Sequence, residues 1–128
     1  MAAEPRPFVY AVLRVVPCLE RGERLNTGVV LYCRQLDFLE LKTSLDPAKL
    51  AALAPEADRE AIGQRLEEIR GVIEGDPARG ALAELDPSDR FGWLVAPSST
   101  VIQASEAHTG LTADPATELD RLFKTLVL

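Results

Sequence analysis

Apolar residues run almost unbroken through Val9-Tyr10-Ala11-Val12-Leu13-Arg14-Val15-Val16-Pro17 and again through Asn26-Thr27-Gly28-Val29-Val30-Leu31-Tyr32-Cys33-Arg34. Both runs are rich in β-branched and aromatic residues, and a polar, glycine-containing elbow joins them, so they predict a β-hairpin. A strand with one wet face would alternate; these do not, which predicts central strands covered on both sides. Gly22 in the elbow permits the positive φ of a turn, and Gly28 inside the second run predicts a bulge or a close backbone approach. After a turn at Gln35-Leu36-Asp37, charged residues alternate with leucines in Phe38-Leu39-Glu40-Leu41-Lys42-Thr43, the pattern of a strand nearer an edge.

Four Asp-Pro pairs punctuate the remainder of the chain, at Asp46-Pro47, Asp76-Pro77, Asp86-Pro87 and Asp114-Pro115. Each suits a helix start or a turn: the aspartate accepts from exposed amides, and proline at the first helical position forfeits no hydrogen bond. The first predicts a short helix over Ala48 to Ala54, stopped by Pro55. A longer helix is predicted from Glu56 to about Ile73, with Ile62, Leu66, Ile69 and Ile73 on one stripe and its acidic residues leading, in agreement with the helix dipole. Ala78 to Leu85 fits one or two further helical turns. Arg90-Phe91-Gly92-Trp93-Leu94-Val95 and Val101-Ile102-Gln103-Ala104, separated by a turn at Pro97-Ser98-Ser99, read as a second hairpin. A loop from Ser105 to Ala113 is then expected to carry His108, and Asp114-Pro115 to open a last helix bearing Leu119, Leu122, Phe123 and Leu126. Residues 1–7, with two prolines and no periodicity, read as a disordered lead-in to one domain over residues 8–128. The fold class is α+β, with a mainly antiparallel or mixed sheet of about five strands and two or three helices packed on it.

A chain of 128 residues, 47% hydrophobic, is long enough for one domain with its own core and too short for two. The net charge of −6 argues against electrostatic coating of nucleic acid or anionic membrane. The acidity is concentrated, however: six basic face five acidic residues through Leu45, six face eleven from Asp46 through Arg90, and two face four thereafter. A local basic patch on the hairpin is therefore compatible with the overall sign. Cys18 and Cys33 lack any C-x-x-C spacing, which fits buried or free thiols in a reducing cytoplasm; if the hairpin closes, the two could lie close across its strands. The first residues lack the apolar core of a signal peptide, and no apolar run reaches membrane-spanning length.

No phosphate-loop, dinucleotide-binding, zinc-protease or serine-hydrolase motif is present, and the sequence implies no metal and no cofactor. Arg14 stands out, because a guanidinium within a buried strand needs a partner or water. Strand alternation puts it on the face of Phe8, Tyr10, Val12 and Val16. With Glu23, Arg24 and Asn26 it forms one candidate binding constellation at the end of the hairpin. A second comprises Arg90, Ser98, Ser99, Gln103, His108 and Thr109. Arginines beside hydroxyls and amides offer paired donors to a carboxylate or phosphate. The plainer reading of the same residues is a structural salt bridge, turn residues and a solvated histidine. A binding or accessory module for an anionic group is thus the leading expectation. The alternative is an enzyme acting on phosphate esters or nucleotides, with Glu23 or His108 as general acid or base.

Two stretches carry a family resemblance. Arg14-Val15-Val16-Pro17 with Glu20-Arg21-Gly22-Glu23-Arg24-Leu25-Asn26-Thr27-Gly28-Val29-Val30-Leu31, and later Arg90-Phe91-Gly92-Trp93-Leu94, Ser98-Ser99 and His108-Thr109-Gly110-Leu111-Thr112, resemble the opening and closing segments of the DUF3037 family, bacterial proteins of unknown function. The resemblance extends from about Tyr10 to Val127 and transfers no catalytic residue. It implies an accessory role with a protein partner, a HipA-like kinase; the acidic net charge makes nucleic acid an unlikely partner, and the lack of a membrane-spanning apolar run speaks against a membrane.

Overall fold

A computed structural model describes residues 4–128 as a five-stranded antiparallel sheet with helices on both faces. Strands β1 (Arg6–Val15), β2 (Leu25–Cys33) and β3 (Phe38–Thr43) come first. Helices α1 (Pro47–Leu53), α2 (Arg59–Glu74) and α3 (Pro87–Val95) come next, then β4 (Ile102–Ala104), β5 (His108–Thr112) and α4 (Pro115–Leu126). The expected α+β class holds, with four α-helices. Two short 3-10 turns, Pro77–Arg79 and Ala81–Glu84, fill the stretch between α2 and α3.

The hairpin is central, as its apolar runs require. β1 pairs with β2 on one side and with β4 and β5 on the other, and β3 closes the far edge beyond β2. Alternation along β1 and β2 divides the core into two layers. Ala11, Leu13, Val15 and Val30 pack with Leu50, Ile62, Leu66, Ile69, Ile73, Phe91 and Leu94 of α1 to α3. On the other face Phe8, Val29, Leu31 and Cys33 pack with Leu119 and Leu122 of α4. Gly28 fulfils both expectations for it. The β1–β2 register shifts beside it, between Leu13 and Arg14, and a Cβ on Gly28 would stand 3.0 Å from the Lys42 carbonyl. Gly22 takes φ 71° in the elbow turn.

Three expectations are corrected. Arg90 to Val95 belong to α3, not to a strand: Asp86 accepts from the Asp89 amide, Pro87 opens the helix, and Phe91 and Leu94, three apart, are its buried residues. The local cap and the i, i+3 pair outweigh the aromatic content of the segment. The second hairpin therefore does not form. Residues 108–112, expected in a loop, are a strand instead, because ten-residue β1 offers more edge than three-residue β4 can cover. β4 and β5 act as one edge strand broken by a bulge at Ser105. The Ser105 amide donates to the Val12 carbonyl (2.8 Å) and its hydroxyl accepts from the Val12 amide (2.8 Å), so the side chain supplies the pairing the bulge interrupts. Finally, β1 already begins at Arg6, within the expected lead-in: Arg6 and Pro7 pair with Thr112 and Leu111. Residues 1–3 of that lead-in lie outside the described residues.

Candidate functional site

The two constellations do not converge. Arg14 sits in β1 on the α4 face, opposite Asn26 of β2 and Gln103 of β4 in the ladder. Neighbouring strands are about 4.8 Å apart, so one guanidinium is flanked on the same face by an amide from each side. Arg14 is half-buried, and its Nε is enclosed with no hydrogen-bond partner among the described residues. No carboxylate among the described residues forms an ion pair with it. Neither amide supplies the missing acceptor: Asn26 Nδ2 donates to the Leu126 carbonyl at the end of α4 (2.9 Å), and Gln103 Nε2 donates to the Thr100 carbonyl (2.9 Å). The last carbonyls of α4, held one strand over by Asn26, place partial negative charge on this side of the sheet, which helps β1 tolerate the cation.

Glu23, grouped with Arg14 in the first constellation, lies out in the elbow with Arg21 (2.5 Å). The hydrogen bond from Arg21, then its charge, hold the Glu23 carboxyl below the usual carboxylate range. Arg24 is exposed at the same elbow. Glu23 and Arg21 line a groove of about 490 Å³ with Pro17, Cys18 and Glu56, between the elbow and the α1–α2 connection. Cys18 is exposed there, while Cys33 is buried at the far end of β2, its thiol donating to the Pro7 carbonyl (3.4 Å); both are free. They sit at opposite ends of the hairpin, so proximity across the strands is ruled out.

Arg90 is on the other side of the molecule, in α3. Its Nη1 donates to the carbonyls of Leu85 (3.0 Å) and Ala83 (3.4 Å) and lies against Gly75. It thereby ties the 3-10 turns to the end of α2, the plainer role. Ser98 bonds Thr100 within the turn before β4 (2.8 Å), and Ser99 is exposed in that turn. His108 is opposite Tyr10 in the β1–β5 ladder, with ring centroids 5.3 Å apart. Strand alternation sends Thr109 to the opposite face. Tyr10 shares Arg14's face but is four residues away, about 13 Å along the strand. His108 lies opposite Tyr10 at the middle of β1, whereas Glu23 lies in the elbow beyond Val15 with Arg21, so the two are held apart as an acid–base pair.

Two residues of this face carry little signal in the sequence. Tyr10 is visible there only as a strand aromatic of the right parity. Arg121 of α4 is paired with Glu118 (2.6 Å). Among the described residues no group of three His, Cys, Asp or Glu is placed to hold a metal, and no helix is long and apolar enough to cross a membrane.

The family model described as "Protein of unknown function (DUF3037)" matches residues 10–127. The chain belongs to the DUF3037 family. The match takes in both strings that carried the resemblance, the hairpin elbow with Arg14 and the α3-to-β5 segment with Arg90 and His108. No curated protein and no solved structure matches the chain.

Proposed function

We propose that this DUF3037 protein is a binding or accessory module that takes a carboxylate or phosphate group from a ligand or partner protein on the α4 face of its sheet, with Arg14 as the anchoring cation. The observation that carries the reading is the state of Arg14: half-buried in a strand, its Nε enclosed, and without a hydrogen-bond acceptor or counter-charge among the described residues. A guanidinium so placed forgoes charge-assisted bonds worth about 1.5–3 kcal/mol each, and a bidentate anion would restore them. Asn26 and Gln103, one on each side, retain amide oxygens that can accept from a ligand's hydroxyl or N–H. The HipA-like kinase suggested by the family resemblance is a partner of the kind such a module would serve.

The test uses inorganic phosphate and citrate as probes. Titrated into isotope-labelled protein, they should shift the backbone amides of Arg14, Asn26 and Gln103, and Arg14→Gln should abolish the shifts while Arg90→Gln leaves them. Co-purification with a HipA-like kinase should weaken in Arg14→Gln in the same way. Equal shifts in well-folded Arg14→Gln would refute the assignment.

A further inference from the structure

The two edges of the sheet differ in how they are guarded. At the β3 edge Arg70 of α2 donates to the Leu41 carbonyl (3.1 Å) and the Thr43 hydroxyl (2.5 Å), Glu40 is exposed, and Lys42 is bridged to Asp120 of α4. Charge, a side-chain cap and a covering helix are the usual means of stopping one sheet from adding to another. At the opposite edge β5, His108-Thr109-Gly110-Leu111-Thr112, carries none of them. It has no Asp, Glu, Lys or Arg, and among the described residues its backbone bonds only to β1. Leu111 is 70% exposed, beside Pro7, which is also exposed, opposite it in the ladder.

We propose that β5 is a self-pairing edge, joining two copies of this chain antiparallel through β5 into one continuous ten-stranded sheet. The geometry favours a second copy over an unrelated strand, because the segment is complementary to itself. A two-fold axis normal to the sheet keeps each α4 on the same face, so residues facing each other across the new ladder must have the same parity. Centring the axis on Gly110 is the register that uses all five residues. It sets Thr109 against the second copy's Leu111, and His108 against the second copy's Thr112. At the axis Gly110 presents no side chain, and a Cβ there would stand 2.7 Å from the Phe8 ring, so a larger residue fits only if that ring shifts. The pairing covers Leu111 and satisfies the open amides and carbonyls of the edge. The same register brings the Glu106 end of one copy to the Asp114 end of the other. That like-charge approach makes association stronger as salt rises, the reverse of a charge-steered interface.

Sedimentation velocity on the full chain decides the matter. Twice the 13.9 kDa chain mass is expected at ~100 µM protein, in a fraction that grows with added salt. Leu111→Lys, at an exposed position that leaves the core untouched, should weaken association by about tenfold or more, and Glu40→Ala on the other edge should leave it unchanged. In a Cys18→Ser background, mixing Thr109→Cys with Leu111→Cys protein should yield a cross-linked heterodimer on mild oxidation, and neither alone should cross-link comparably. A wild-type monomer at ~100 µM, a dimer indifferent to Leu111→Lys, or equal cross-linking of the unmixed variants would overturn the proposal.

Discussion

Arg14 illustrates what a single residue discloses in advance. A guanidinium in an apolar run is conspicuous, and strand parity alone puts it on the face it occupies. Its neighbours are another matter: Asn26 and Gln103 flank it only because a bulge beside Gly28 and the short β4 set the ladder register, which no local pattern specifies. Arg90 looks equivalent by composition, and its Nε is likewise enclosed without a partner among the described residues, but its Nη1 donates to the carbonyls of Ala83 and Leu85, whereas Arg14 makes no such bond there. Replacing Arg90 should therefore lower stability without altering anion binding. Gly110 supports a sharper statement. It needs no positive φ, but the Phe8 ring fills the space a side chain would take, and Phe8 is itself buried in the α4 layer. Gly110→Ala should destabilise the protein by about 1–3 kcal/mol through overpacking. Urea unfolding would measure this, and Phe8→Leu in the same chain should recover part of the loss.

At the scale of elements, the central hairpin, β3, α1, α2 and α4 are legible because period and punctuation agree. All four Asp-Pro pairs prove to be caps, with each aspartate accepting from amides of the turn it opens. The errors fall where these signals disagree. In residues 90–95 aromatic content favours a strand, although Asp86-Pro87 announces a helix. β5 escapes sequence reading because Thr-Gly-Leu-Thr has little strand character of its own and is ordered by pairing with β1. The weight carried by the caps is measurable. Asp86→Ala should cost about 1 kcal/mol and loosen α3. Asp114 adds a pH signature: bonds from the Thr117 hydroxyl, then from the Thr117 amide, hold its carboxyl below the usual range. A carboxyl depressed on folding stabilises the protein fully above its unfolded pKa, and that contribution disappears as pH falls through the folded value. Stability should therefore decline on acidification below about pH 4. Asp114→Asn, which still caps but does not titrate, should flatten that decline in urea titrations at stepped pH.

For the molecule as a whole, the division of labour between the faces is unequal: three helices cover one side, and α4 alone covers the other. Along β2, Val29, Leu31 and Cys33 are all fully buried on the α4 side. The attachments of α4 outside that apolar layer are few: Lys42 to Asp120, Asn26 to the Leu126 carbonyl, and Lys49 to the Val127 carbonyl. Local opening of α4 should thus require less free energy than global unfolding, because the larger layer under α1 to α3 can persist without it. Cys33 reports on that opening and Cys18 is its internal control, since one thiol is buried in this layer and the other is exposed in the elbow. A thiol reagent should label Cys18 at once and Cys33 slowly, at a rate set by the population of the open state. Leu119→Ala removes a fully buried contact of α4 and should cost about 2–5 kcal/mol. Cys33 labelling should then accelerate by about tenfold for each 1.4 kcal/mol lost. Ile73→Ala, equally disruptive in the opposite layer, should leave slow-phase labelling nearly unchanged while lowering the urea midpoint as much. Equal acceleration by both substitutions would mean that α4 opens only when the entire domain unfolds.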